Sequence, residues 1–255
     1  MMVAGDVIQS SRGPKEHHTR PAIDPLFRSA ALARGGSVVG VVLTGMMDDG
    51  TQGLQAIKAC GGTAVVQSPA DAFCAEMPLS ALRHVAVDHC VALAELPALL
   101  TALTHLEQDT MPLPIPERLR HEQALAGGAG NPLKHLAPIA TPSTFTCPDC
   151  HGSLWKVTDS TPERLICHIG HGYSLLTLMH AMTQKTDEAV WSALRALQEQ
   201  GLLLQHSAMH EREQGNEEEA ARLDSRSAGL QRQADLLRAL LNGESAEAAA
   251  ADPAP

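Results

Sequence analysis

Two groups of residues have types and spacings that could do chemistry. In the first, an apolar run ends at Leu43 and passes through Thr44-Gly45-Met46-Met47 into Asp48-Asp49-Gly50, after which a helical pattern begins. This places two carboxylates at the C-terminal end of a strand, where open α/β sheets build their sites. A carboxylate there can orient a histidine, bind a metal, or cap the helix that starts near Gly50, and spacing alone favours the cap. In the second group, Cys147-Pro148-Asp149-Cys150 is followed, with sixteen residues between, by Cys167-His168-Ile169-Gly170-His171. Two thiolates on one knuckle and a second pair beyond a short hairpin can surround a tetrahedral cation, so Cys147, Cys150, Cys167 and His171 are expected to hold one structural Zn²⁺. His168 competes for the fourth place, although its adjacency to Cys167 makes it harder to aim at the same ion. Four protein ligands leave no open position for Lewis-acid catalysis. The alternative is a set of reduced, unliganded thiols; a redox role is disfavoured because no thioredoxin-like βαβ unit follows the CxxC.

The elements that must position these residues can be read from periodicity. Ser37 to Leu43 is a continuous β-branched run bounded by glycines, as expected for a strand buried on both faces of a parallel sheet. Gly50 to Cys60 is helical, Gly61-Gly62 stops it, and Thr63 to Val66 is the next strand, so together they form a βαβ unit. Pro21 to Arg34 is a proline-opened helix, Met77 to Leu82 a short helix, Val85 to Leu93 contains a weaker strand, and Leu96 to Leu106 closes the unit. The fold class expected is therefore α/β with a partial parallel sheet over residues 5–107. Some three strands in about a hundred residues leave one edge of a strongly apolar sheet uncovered.

Beyond it, 108–143 is rich in Pro and Gly without sustained periodicity and reads as a flexible linker. Residues 144–173 hold the Cys/His group. In 174–243, Val190, Leu194, Leu197, Gly201, Leu204 and Ala208 step by four and three, as do Leu223, Ser227, Leu230, Ala234, Leu237 and Leu241. Gln214-Gly215-Asn216 between them favours an antiparallel α-helical hairpin with a coiled-coil seam, and 244–255 reads as a disordered tail.

Composition narrows the function. Of 255 residues only six are Phe, Trp or Tyr, so the core must be aliphatic. A formal net charge of −10 opposes binding to nucleic-acid phosphates or anionic membranes. No stretch is apolar enough for a membrane span and no signal peptide follows Met1, so a cytoplasmic location is expected.

The order of motifs adds more. Leu43 to Gly50, Gly53-Leu54, Ile57-Lys58, Gly61-Gly62, Val66-Gln67 and Met77-Pro78, with Arg20-Pro21-Ala22-Ile23-Asp24-Pro25-Leu26-Phe27 upstream, resemble the C-terminal half of the catalytic domain of the chemotaxis protein-glutamate methylesterases. The resemblance covers roughly residues 5–100. It implies a doubly wound α/β hydrolytic domain that removes methyl esters from glutamates of methyl-accepting chemoreceptors with a Ser, His, Asp triad. Asp49 falls on the catalytic aspartate, which holds the histidine in its tautomer and stabilises the imidazolium. Met46 falls on the methionine beside the active site, where a backbone N–H helps bind the oxyanion. Met47 replaces a glycine usual in the family, which bears on the local turn.

The family's nucleophile and histidine both precede the Arg20-Pro21 region, and the chain is expected to be a fragment that lacks them. Ser10-Ser11, Ser29 and Ser80 have no nucleophile context, and His17-His18 reads as a solvated pair in a polar loop. The C-terminal part resembles an extension attached to some methylesterase-family proteins. Its hairpin, with 13 acidic against 7 basic residues after Ser174, could dock a signalling protein or pair with itself, and a complementary N-terminal fragment is a further candidate partner. The competing class is a non-enzymatic zinc-containing interaction protein with a relic α/β domain.

Overall fold

The computed structural model describes residues 1–105, 114–128 and 130–242. Two compact units divide it, Met1–Ala181 and Met182–Pro255.

The first unit opens with strands β1 (Met2–Ala4) and β2 (Val7–Gln9), an antiparallel pair that the sequence reading did not foresee. Helix α1 spans Ile23–Arg34, and a parallel sheet follows from β3 (Val39–Val42), β4 (Thr63–Gln67) and β5 (His89–Val91), in that order. Helix α2 (Thr51–Ala59) crosses from β3 to β4, and α3 (Glu76–His84) from β4 to β5. The expected α/β architecture with a parallel sheet is what forms. Its core joins Leu54 and Ile57 of α2, Val42 and Val66 of the sheet, Ala31 of α1 and Ala81 of α3. Gly40 explains the one small residue in the β-branched run: a Cβ there would come within 2.5 Å of Ile57 Cδ1, so the glycine lets α2 lie directly on the strand. Helix α4 (Leu96–His105) closes this part.

The stretch expected to be a linker is a correction. Residues 106–113 lie outside those described, but α5 (Glu117–Gly127) and α6 (Pro132–Leu136) follow, and β6 (Ala140–Thr146) begins inside the same stretch. Leu119, Leu125, Ala126 and Leu136 are buried, and Asn131 caps α6 by accepting the Leu133 N–H.

Strands β6, β7 (Ser153–Val157), β8 (Arg164–Cys167) and β9 (Gly172–Ser174) form an antiparallel meander. β8 is buried on both faces. Leu165 and Cys167 pack with Leu154, Tyr173, Leu178 and Ala181, while Ile166 packs with Leu125, Leu136 and Val157. The segment before α1 joins this sheet, because His17 N–H donates to the Gly172 carbonyl at 2.8 Å and Gly172 N–H to that of Lys15 at 3.2 Å.

Helix α7 (Leu175–Glu213) begins here and continues into the second unit, where α8 is Glu217–Leu241. In the second unit the buried residues are Leu194, Ala208, Ala220, Ala234, Ala239, Gly201 and Ser227, and Ser227 Oγ donates to the Gly201 carbonyl at 3.1 Å. Apart from Leu194 these are all small residues. No helix among the described residues is long and apolar enough to cross a membrane.

Candidate functional site

Asp49 sits in the turn between β3 and α2. It does not cap α2, whose N-cap is Gly50 in the left-handed conformation. Its carboxylate instead accepts the N–H groups of Ile23 at 2.8 Å and Asp24 at 3.0 Å, and so caps the start of α1 from across the fold. Helix α1 has no side-chain cap of its own, since its N-cap residue is Ala22. Met46 is 66% exposed on the rim of the same turn. Met47 adopts φ of +63°, a conformation that costs a side-chain-bearing residue energy and explains why a glycine suits this position. Its N–H is held by Glu76 Oε2 at 2.6 Å.

Next to these acids stands a histidine that the sequence reading placed in solvent. His17 is buried, with Nε2 2.7 Å from Asp24 Oδ2, Nδ1 3.3 Å from Thr177 Oγ1 and 3.7 Å from Asp48 Oδ1, and Nε2 4.0 Å from Asp49 Oδ1. Asp24, itself fully buried, uses its other oxygen to accept the Gly53 N–H at 2.6 Å. Burial alone would push the His17 imidazole down, but the hydrogen bond to Asp24 and the charges of Asp24, Asp49 and Asp48 outweigh it and raise its pKa to about 9. Burial opposes ionisation of Asp24 as well, yet His17, Arg28 and Arg164 hold its pKa at about 2. Asp49 moves the other way. Burial, reinforced by the charge of Asp24, raises it to about 6 against the pull of His17 and the two N–H groups.

The meander and α7 close the site. Ser174 and Thr177 cap α7 reciprocally: Ser174 N–H donates to Thr177 Oγ1 at 2.9 Å and Thr177 N–H to Ser174 Oγ at 3.1 Å. Ser174 Oγ also donates to Asp48 Oδ1 at 2.9 Å. Both hydroxyls are buried, so the constellation Thr177, His17, Asp24 has the connectivity of a triad without an accessible nucleophile. Beneath it lies a buried ion network. Arg164 from β8 bonds Glu16 at 2.5 Å and pairs with Glu122 of α5, and Arg28 of α1 pairs with Glu16.

These residues escaped the sequence reading. Ser174-x-x-Thr177 ahead of an apolar helix is a cap signature that could have been found, and Arg164 in the otherwise apolar Leu165-Ile166 strand asks for a partner. Nothing local to Glu16-His17 marks it as buried.

The Cys/His residues converge as a separate group. Cys147, Cys150, Cys167 and His171 bring one ligand atom each within 4.8 Å of one another. Cys147 and Cys167 are buried, and all six cysteines are free thiols. His168 is not one of the four; its ring lies against Gly152.

Residues 1–100 match the CheB methylesterase family. The matched stretch contains Asp24, Asp48, Asp49 and His17, and ends before the meander. A curated relative from Leptospira interrogans (strain Fiocruz L1-130) is 42% identical over 100 residues, which are 38% of this chain and 52% of that protein. The protein-glutamate methylesterase/protein-glutamine glutaminase 2 of Koribacter versatilis (strain Ellin345) is 41% identical over 99 residues, 39% of this chain and 27% of its own length. The corresponding protein of Pyrococcus abyssi (strain GE5 / Orsay) is 41% identical over 91 residues, covering 36% and 25%. The chain thus spans about half the length of the Leptospira relative and about a quarter of the other two. The crystal structure of the Thermotoga maritima CheB methylesterase catalytic domain aligns at 31% identity with a TM-score of 0.33, over 33% of this chain and 44% of that one.

Proposed function

We propose that residues 1–100 are the Asp49-bearing part of a methylesterase that hydrolyses glutamate methyl esters on chemoreceptors. The reading is supported by the CheB methylesterase match and, above all, by the placement of Asp49 at the C-terminal end of β3 within the matched stretch. In the reaction a serine hydroxyl attacks the ester carbonyl, methanol leaves, and water releases the free glutamate. In this reading Asp49 holds the imidazole that takes the serine proton, and a backbone N–H in the turn at Met46 helps bind the oxyanion. The serine and that imidazole are supplied by polypeptide other than the turns described above.

A specific observation favours a second reading, a non-enzymatic interaction protein. His17, Ser174 and Thr177 fill the space beside Asp48 and Asp49, and all three are buried. In this reading the paired helices of the second unit, with Leu202, Leu203 and Leu240 exposed, form a hairpin that docks a signalling protein or a second copy.

Methanol release from methylated receptor membranes tests the choice. The chain should be inactive alone and should gain activity when mixed with the half of the Leptospira relative that lies outside the matched stretch, and Asp49→Ala should abolish that gain. Absence of release in the mixture, with both polypeptides folded and bound to each other, would overturn the esterase reading.

A further inference from the structure

The Cys/His group and the segment that carries His17 are joined through two residues, Asp149 in the middle of the Cys147-Pro148-Asp149-Cys150 knuckle and Gly172 after His171. Around the group, Cys150 Sγ and Cys167 Sγ are 3.6 Å apart, and His171 Nδ1 is 3.7 Å from Cys147 Sγ and 3.6 Å from Cys167 Sγ. Ligands at about 2.3 Å (sulfur) and 2.0–2.1 Å (nitrogen) from a tetrahedral zinc span edges of about 3.8 Å between sulfurs and about 3.6 Å from sulfur to nitrogen. The observed edges fit that tetrahedron and are far too long for a disulfide, about 2.05 Å.

Asp149 reaches from the knuckle to the N-terminal segment. Its carboxylate accepts the Tyr173 hydroxyl at 2.6 Å, lies 3.3 Å from His18 Nδ1 and 3.4 Å from Lys15 Nζ. Tyr173 Oη is in turn 3.6 Å from Cys147 Sγ. Gly172, the residue after His171, makes the two backbone bonds that hold Lys15 and His17 to β9. Both ends of the Lys15–His18 segment are therefore tied to residues adjacent in sequence to the four converging side chains.

We propose that Cys147, Cys150, Cys167 and His171, through its Nδ1, bind one Zn²⁺, and that the ion, acting through Asp149 and Gly172, clamps residues 15–18 so that His17 stays seated among Asp24, Asp48 and Asp49. The metal is structural, and its effect on the acid cluster is exerted through the segment it fixes.

The test uses the full chain purified under reducing conditions. Elemental analysis should find one zinc per chain, and cobalt reconstitution should give the thiolate-to-metal charge-transfer bands of a tetrahedral site. His168→Ala should keep the metal, and Cys167→Ser and His171→Ala should weaken it. Hydrogen exchange then tests the clamp: chelation should accelerate exchange of the His17 and Thr19 amides by about tenfold or more, and Asp149→Ala should accelerate them with zinc retained. A chain that takes up no stoichiometric zinc or tetrahedral cobalt, or one with a native Cys150–Cys167 disulfide, overturns the metal site. Unchanged exchange at His17 and Thr19 after metal removal overturns the clamp.

Discussion

His17 Nε2 and Asp24 Oδ2 are 2.7 Å apart in a place that water does not reach, and each accounts for the other's charge. The histidine enters from the loop before α1 and the aspartate from the first turn of that helix, seven residues on. The pair puts one positive charge among three carboxylates whose own repulsion would otherwise be unrelieved.

The pH dependence of folding follows from that pair. His17 is raised from 6.5 to about 9, so its contribution is complete below 6.5 and is lost as pH rises through 9. Asp24 is lowered from 3.8 to about 2, so its side of the same interaction is complete above 3.8 and is lost as pH falls through 2. Urea unfolding should show a stability drop of about 3 kcal/mol between pH 6.5 and 9.5, corresponding to the His17 shift at 1.36 kcal/mol per unit. In His17→Gln that drop should vanish, and a drop that persists unchanged would assign it to other groups.

Asp49 should titrate near neutrality. Its side-chain carboxyl ¹³C shift is expected to change with a midpoint of about 6. Because this folded-state value lies above 3.8, its contribution is full below 3.8 and falls as pH rises through 6, the reverse of Asp24. Asp49→Ala removes both acceptors of the α1 N-terminus and should cost about 1–2 kcal/mol. Asp49→Asn, which keeps one acceptor and loses the repulsion from Asp24, should cost less.

Arg164 and Arg28 are two buried cations that share Glu16 and Glu122, and Arg164→Met leaves both carboxylates to the single buried guanidinium of Arg28. The expected loss is about 3–5 kcal/mol by denaturant unfolding. Glu16→Gln and Glu122→Gln in the same chain should recover much of it, whereas no recovery would mean that packing, not charge, sets the cost.

Met47→Gly should raise the thermal midpoint. Relief of the left-handed strain, about 1–2 kcal/mol, exceeds the flexibility that glycine adds to the unfolded chain, about 0.5–1 kcal/mol. An unchanged or lowered midpoint would contradict the strain.

Two glycines in helices should behave oppositely. A Cβ on Gly53 would lie 2.5 Å from Phe27 Cβ and 3.0 Å from Asp24 Cα, where α1 crosses α2, so Gly53→Ala should destabilise by about 1–3 kcal/mol. A Cβ on Gly201 meets nothing nearer than Ser227 Oγ at 3.6 Å, so Gly201→Ala should stabilise by up to about 1 kcal/mol through helix propensity. Circular-dichroism melts of the two variants check both signs.

The βαβ unit was determined by local sequence: a β-branched run between glycines, a helical repeat and a glycine stop specify β3, α2 and β4 without outside help, because their periodicities suit one structure each. The knuckle spacing and the order of motifs around Asp49 were legible for the same reason, being written in adjacent residues. Tertiary structure alone decided the rest. Leu125 and Leu136 make helices of a Pro- and Gly-rich stretch only when β8 and β7 supply the apolar surface they bury, and Leu119 only when the core of α1 and α2 receives it. His17 lies in a polar loop whose local composition favours solvent, and it is buried because Asp24, seven residues on, and Thr177, from far along the chain, satisfy its two nitrogens while the Asp48 carboxylate stands beside it. A charge can be placed in the interior only by partners that surround it, and the positions of those partners are a property of the folded chain.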